Sequence, residues 1–250
     1  MTEKLNHTSL ISASEQRRSM GRHQLDLSLR HKGYRALGYF VIALWVIHAA
    51  QALFHYHLNW LGVYPQTFSG LFGIVTSPLI HGDWGHLGNN TVSLIVLGAL
   101  IIYGFSRALW PSVFVIWIVS GAGVWLFGRE SYHIGASGLT HGLFYFLFAA
   151  AIIRRDKTSI AIMLVAVLMY GSMVLGVLPW DPKISFEGHL FGAIGGGLSA
   201  FLFQQRQPKP YVKQYDWEVE DDLDDEEPYW IPPHQNQAPA SEIQSGSTKE

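Results

Sequence analysis

Cysteine is absent from the 250 residues, which excludes disulfides, thiolate nucleophiles and zinc–thiolate sites together. Charge is scarce as well, at 14% of the chain, and it is clustered. Nine of the 19 acidic residues fall between Asp216 and Glu227, so the rest of the sequence holds long stretches with neither acid nor base. A formal net charge of −2 supplies no basic surface, and no nucleic-acid partner is expected. Residues 1–33 are polar and contain no apolar run, so they do not read as a signal peptide, and insertion would be directed by the first long span itself.

Apolar residues make up 49% of the chain and fall into six runs: about Tyr34–Phe54, His86–Phe105, Ala108–Phe127, Ser137–Ile153, Thr158–Leu178 and Gly188–Phe203. Runs of about 20 residues match the thickness of a bilayer core. A helix satisfies its own backbone in lipid, whereas the short alternating strands of a membrane barrel are missing. Basic residues alternate in side. Arg17, Arg18, Arg22, Arg30, Lys32 and Arg35 precede or begin the first run, Arg107 follows the second, Arg154, Arg155 and Lys157 follow the fourth, and Arg206, Lys209 and Lys213 follow the sixth. The opposite loops carry only Arg129 and Lys183. The positive-inside rule then puts both termini in the cytoplasm.

The expected fold is an all-α integral membrane protein with six transmembrane helices. It divides into an N-terminal cytoplasmic segment (1–33), a six-span domain (34–206) and a tail (207–250). The tail combines the acidic run with Pro208, Pro210, Pro232 and Pro233 and cannot bury enough apolar surface to fold alone. It reads as disordered and cytoplasmic, with docking of a cytoplasmic partner as the sharper alternative. Trp45, Trp60, Trp84, Trp110, Trp117, Trp125 and Trp180 fit interfacial belts or lipid-facing packing.

Three polar places interrupt the runs. Gly135-Ala136-Ser137-Gly138 opens the fourth. Serine between glycines at a helix start is ordinarily a cap or a close-packing device. The chemical reading is a nucleophile on a turn, with its own N–H facing a developing oxyanion. Gly188-His189 opens the sixth run, followed by Gly192 and Gly196 in a GxxxG spacing that lets helices approach closely. A histidine inside a membrane is a functional candidate by default, against the plainer reading of a packed structural residue. His189 and Gly192 share a helix face, so His189 lies beside whatever helix packs there. If that helix is the fourth span, Ser137 and His189 form a dyad.

His81-Gly82-Asp83-Trp84-Gly85-His86 leads into the second run, and Asn90 lies one turn after His86. Both side chains can donate hydrogen bonds to an oxyanion. A metal site is the rival, but there is no HExxH and the spans hold no supporting carboxylate, so no metal is expected. Asn90 to Arg107, Ser137 to Arg154 and His189 to Arg206 are each seventeen residues apart. At the helical rise each candidate sits roughly 25 Å from its basic anchor, which places all three at one level near the outer surface. Together they supply nucleophile, base and oxyanion donors for amide hydrolysis. Glu187 lies close in sequence but is expected to project elsewhere, so a dyad is favoured over a triad.

These residues, taken jointly, resemble the rhomboid proteases over about residues 34–204. The resemblance rests on His81, His86 and Asn90 before and in the second span, Gly135-x-Ser137-Gly138 at the fourth and His189-x-x-Gly192-x-x-x-Gly196 in the sixth. It implies a compact six-helix bundle in a membrane, Ser137 as nucleophile and His189 as general base. It also implies that Asn90, His86 and the Ser137 N–H form the oxyanion hole, that His81 supports the cavity, and that Gly192 and Gly196 pack the sixth span on the fourth. Substrates would be single-span membrane proteins cut in or near their transmembrane segments, with no cofactor. A bacterial plasma membrane is the implied location. Well-studied bacterial members often carry a tyrosine four residues after the nucleophile, beneath the histidine, and His141 stands there in this chain. Trp60 is followed by Leu61 where some members have a Trp-Arg pair. The alternative on the same fold is a catalytically silent binding or chaperone protein. A transporter ranks lower, because the spans hold no acidic residue.

Overall fold

The computed structural model describes residues 2–181 and 184–209, with side chains from Met20 onward other than Arg22. The tail read from the sequence lies outside the described residues after Lys209. Among the described residues, seven α-helices follow in chain order: α1 (Thr2–Phe54), α2 (Gly70–Thr76), α3 (Trp84–Phe105), α4 (Leu109–Phe127), α5 (Ser137–Arg154), α6 (Lys157–Tyr170) and α7 (Phe186–Phe203). Short 3₁₀ turns at Asn59–Leu61, Ser77–Leu79, Gly171–Val174 and Gln204–Arg206 complete the regular structure. α1 runs through the boundary read at residues 33 and 34 without a break.

Among the described residues, five segments are long and apolar enough to cross a membrane: His23–Phe54, Trp84–Phe105, Leu109–Phe127, Ser137–Arg154 and Lys157–Val174. α7, the counterpart of the sixth expected span, has 18 residues but is not one of the five. Glu187, His189 and its glycines dilute its apolar content. α7 is nonetheless deeply packed, burying Gly188, His189, Gly192, Ala193, Gly196 and Ala200.

α5 is the central helix, buried at Leu139, His141, Leu143, Phe144, Phe146, Leu147 and Ala150. It packs chiefly on α7, which also packs along α4, while α3 joins it through Leu94, Leu97, Ile101 and Phe105. The outer helices α1 and α6 turn large apolar side chains outward, among them Ile42, Val46, Leu164 and Leu168, the last 88% exposed. Such faces would be a liability in water and are what a lipid solvent favours.

Glycine sets how closely α5 and α7 approach. A Cβ on Gly192 would run into the carbonyl of Gly138, and one on Gly196 into the carbonyl of Gly142. Two pairs of glycines therefore face each other one helical turn apart, and backbone meets backbone across the seam.

The segment between α1 and α3 carries few sequence signals, and it contains α2. Trp117 Nε1 donates to the Ile74 carbonyl at 2.9 Å and Trp125 Nε1 to the Thr67 carbonyl at 2.8 Å. These two tryptophans, expected in interfacial belts or lipid-facing packing, hook this segment onto α4. An indole with an apolar body and one donor suits that task.

Arg154 fastens the other ends of α5 and α7. It is buried, and its guanidinium donates to the carbonyls of Gln204 (2.8 Å), Gln207 (2.6 Å) and Pro208 (3.4 Å) and to Asp156 Oδ2 (2.8 Å). Burial alone would raise the Asp156 carboxyl, but hydrogen bonds from the Ser159 N–H and hydroxyl and from Arg154 hold it below its usual value. Arg154→Ala strands these acceptors and is expected to cost about 3 kcal/mol or more. Arg154→Lys restores little, because one ammonium cannot reproduce the planar fork. Thermal unfolding of both variants in lipid checks this.

Candidate active site

Ser137 is the first residue of α5, delivered by a turn that only glycine permits. Gly135 has φ +107°, in the region that L side chains avoid. A Cβ there would also lie 2.6 Å from Cε1 and Nε2 of His86. Gly135 thus both bends the chain into α5 and lets the His86 ring come against the turn. Its N–H donates to the Ser77 carbonyl at 2.9 Å, which fixes the turn to the segment before α3.

His86 and Asn90 come from the first turns of α3. Asp83 caps that helix, its Oδ1 accepting from the His86 N–H at 2.8 Å, and this bond is the main cause holding the Asp83 carboxyl below its ordinary value. Asn90 is buried, and its Nδ2 donates one hydrogen to the His86 carbonyl at 3.1 Å. An amide nitrogen carries two hydrogens, so one remains for another acceptor. The same Nδ2 lies 3.7 Å from where a Gly135 Cβ would stand, which puts Asn90 at the serine turn together with His86.

His189 lies in the first turn of α7. Its Nδ1 donates to the carbonyl of Gly176 at 2.8 Å. A carbonyl only accepts, so the hydrogen is on Nδ1 and the neutral ring keeps a lone pair on Nε2. A backbone carbonyl in this place can orient an imidazole as a carboxylate does in a triad. Beneath His189 lies His141, ring centroids 3.8 Å apart and planes within 11°. His141 Nδ1 in turn donates to the Ser137 carbonyl at 2.8 Å, which also accepts from the Thr140 hydroxyl at 2.9 Å. His141 is therefore linked at once to the serine's backbone and to the ring of His189.

Ser137, His141, His189, His86 and Asn90 line one cavity of about 800 Å³, together with Asp83, Thr140, Met173, Arg129, Ser131, Tyr132, His133 and Ser185. α5 begins without a side-chain cap, since Ala136 precedes Ser137, whereas α3 and α7 are capped by Asp83 and Ser185. The first N–H groups of α5 thus have no side-chain acceptor from the cap position, a setting that suits a developing negative charge.

His81 stands behind His86, ring centroids 5.0 Å apart, and is only 1% exposed. Burial, then the neighbouring His86 and His48, pushes its imidazole down to about 4, so it is neutral near pH 7. The unfolded chain would take up a proton at His81 near pH 6.5, where the folded protein does not. Stability is therefore full above that value and declines as pH falls from about 6.5 towards 4. His81→Phe is expected to flatten the fall in melting temperature between pH 7 and 5. An unchanged slope would assign the acid sensitivity to other groups.

Gly138, Gly192 and Gly196 lie in the α5–α7 seam described above, within two turns of the cavity residues. Glu187, expected from the sequence to project elsewhere than His189, contacts Arg129 and faces His133. It is 5% exposed and faces Arg129, Nε to Oε1 at 3.4 Å. Sequence reasoning missed Gly176, which acts through its carbonyl and leaves no residue-type signal. It also missed His133 and Ser185. Ser185 was open to it, because a serine three residues before the helical Gly188 is an ordinary capping pattern. Among the described residues no group of three or more His, Asp or Glu side chains is placed to hold a metal ion.

A sequence model of the Rhomboid domain matches residues 69–206, which include every cavity residue discussed above. An uncharacterized protein of Mycobacterium tuberculosis (strain ATCC 25618 / H37Rv) is 36% identical over 180 residues, covering 68% of this chain and 75% of that protein. An uncharacterized protein of Mycobacterium leprae (strain TN) is 34% identical over 181 residues, covering 68% and 71%. A protein of Bacillus subtilis (strain 168), provisionally named a rhomboid protease, is 27% identical over 145 residues, covering 55% and 70%.

Proposed function

The chain belongs to the rhomboid family and is a multi-pass membrane protein, and on that premise we propose that it is an intramembrane serine endopeptidase working by a Ser137–His189 dyad. The observation that carries the reading is the meeting of Ser137, His189, His86 and Asn90 around one cavity, with the His189 Nδ1–H engaged by Gly176. Nε2 of His189 then takes the proton from Ser137 Oγ as that oxygen attacks the scissile carbonyl. The carbonyl oxygen becomes an oxyanion, which accepts from the spare Asn90 N–H, from His86 and from the Ser137 N–H. The tetrahedral intermediate collapses, the C–N bond breaks, and His189 gives its proton to the leaving amine. Water then enters, loses a proton to His189 and adds to the acyl-serine carbonyl; the ester C–Oγ bond breaks, and His189 returns the proton to Ser137 Oγ, which restores the enzyme.

In this reading α7 is the sixth span, short of apolar residues because it carries the base and the packing glycines. Both termini face the cytoplasm, the membrane is a bacterial plasma membrane, and the substrates are single-span proteins cut in or near their transmembrane segments. The test is incubation of the protein in lipid with several single-span substrates, with products mapped by mass spectrometry. New termini within or beside the span are the expected result. Stable capture of those substrates without cleavage would favour the silent binding protein on the same fold.

A further inference from the structure

Ser137 and His189 belong to different helices, and each has a residue four positions earlier that touches the other's partner: His133 before Ser137 and Ser185 before His189. His133 is 5% exposed and lines the cavity. Its Nε2 lies 3.0 Å from the Arg129 carbonyl, which only accepts, so the hydrogen on Nε2 is assigned. Its Nδ1 lies 2.6 Å from Ser185 Oγ. Ser185 Oγ in turn accepts from the Gly188 N–H at 3.2 Å and caps α7 directly before His189. When His133 is neutral, the Ser185 hydroxyl donates to Nδ1. When it is charged, Nδ1–H donates to Ser185 Oγ, which has a second lone pair. The link survives in either state.

A second tie runs beside the first. Glu187 Oε1 accepts from the Arg129 backbone N–H at 3.3 Å, and the Arg129 guanidinium donates to the Ile184 carbonyl. Glu187 Oε2 faces His133 Nδ1 at 4.0 Å. On its other side, the His133 backbone makes two hydrogen bonds with Val63, at 2.9 and 3.0 Å. Three chain segments therefore meet at one residue, His133: the segment before α2 on its backbone, and the start of α7 on the imidazole of the turn that leads to Ser137.

We propose that His133, acting through Ser185, is a positioning residue that holds the Ser137 turn in register with His189. The proposal rests on the dyad reading. The glycine seam fixes how near α5 and α7 come, but two helices in contact can still slide or rotate. A side-chain tie at their N-terminal ends removes that freedom at the level of the reacting atoms. A displacement of about 1 Å there is enough to lower a rate about 100-fold.

The test is a double-mutant cycle in lipid with His133→Ala, Ser185→Gly and the pair. Glycine is chosen because helix caps tolerate it, so loss of the cap alone changes little. Three quantities are read: kcat and KM on a single-span substrate, the rate at which a fluorophosphonate labels Ser137, and the melting temperature. Each single variant is expected to lower kcat and labelling by about 10- to 100-fold with KM near wild type. The pair is expected to be no worse than the worse single, because both break one link. Unchanged labelling in either single variant, or losses that multiply in the pair, would overturn the proposal. The link is also read without activity, by ¹⁵N-histidine NMR of the intact protein, with His133→Ala identifying the signal. Ser185→Gly is expected to move the His133 Nδ1 resonance and leave Nε2 protonated; an unmoved Nδ1 overturns the proposal. A wild type that neither cleaves nor labels would instead sink the dyad reading, and the NMR result would then decide on the tie alone.

Discussion

Ser137→Ala is expected to lower cleavage of a single-span substrate by about 10⁴-fold or more while the fold persists. Removing the nucleophile removes the covalent route, and residual turnover then depends on the oxyanion donors and on binding. A 10⁴-fold loss corresponds to about 5.5 kcal/mol of transition-state stabilisation. Little of this comes from unfolding. Ser137 is not the cap of α5, its backbone bonds from Thr140 and His141 use the carbonyl, and alanine favours a helix. Stability is expected within about 0.5 kcal/mol of wild type. His189→Ala is expected to match the loss in activity, since a nucleophile without its base is nearly as poor as none. Asn90→Ala is expected to lose less, about 10²–10³-fold, because one oxyanion donor among several is removed. The ordering is the informative part: equal, large losses at Ser137 and His189 with an intermediate loss at Asn90. Equal losses at all three would point to a shared structural fault. Kinetics and melting curves on the same preparations separate the two.

Gly192→Leu is expected to prevent accumulation of folded protein, the largest structural effect of any single substitution at the site. The colliding atoms are the Gly138 backbone, which cannot rotate aside. Relief requires α7 to move away from α5 and to lose the second contact at Gly196 as well. In lipid there is no hydrophobic force between helices to offset that loss, because close packing itself drives their association. Gly192→Ala is the graded version, expected to cost about 1–3 kcal/mol as an overpacking substitution. It should also slow cleavage by about 100-fold, since His189 lies one turn away and moves with the helix. Gly197 is the control, because a Cβ there meets nothing within 4 Å. Gly197→Ala is expected to be neutral or slightly stabilising. Expression, size-exclusion profile and melting temperature of the three variants check the seam.

Much of the site is legible in the sequence because its parts are side chains at helix starts. Ser137, His189, His86 and Asn90 each stand in or beside a glycine-containing stretch where a long apolar run begins. Equal counts of seventeen residues to Arg107, Arg154 and Arg206 lead to the expectation that three of them share one level. The apolar runs foretell α3, α4 and α5 closely and the C-terminal end of α1 but not its start, since α1 begins far before Tyr34; α6 ends in a 3₁₀ turn before Leu178, and α7 is marginal by composition because glycines and polar residues replace leucines. α2 escapes notice because seven residues with two glycines carry too little periodicity, and its placement depends on distant tryptophans. The Gly176 carbonyl is invisible because every residue has one. His133 looks like an ordinary loop histidine until Ser185, 52 residues later, is seen 2.6 Å away.

The central claim is that Ser137 is a nucleophile activated by His189, and chemical labelling tests it most directly. The intact protein in lipid, which has no cysteine to compete, is treated with a fluorophosphonate and digested, and the adduct is located by mass spectrometry. The account predicts one dominant adduct, on Ser137, that disappears in Ser137→Ala and forms at least about 100-fold more slowly in His189→Ala. Absence of an adduct on a well-folded wild type, or labelling of Ser137 at the same rate without His189, would contradict it.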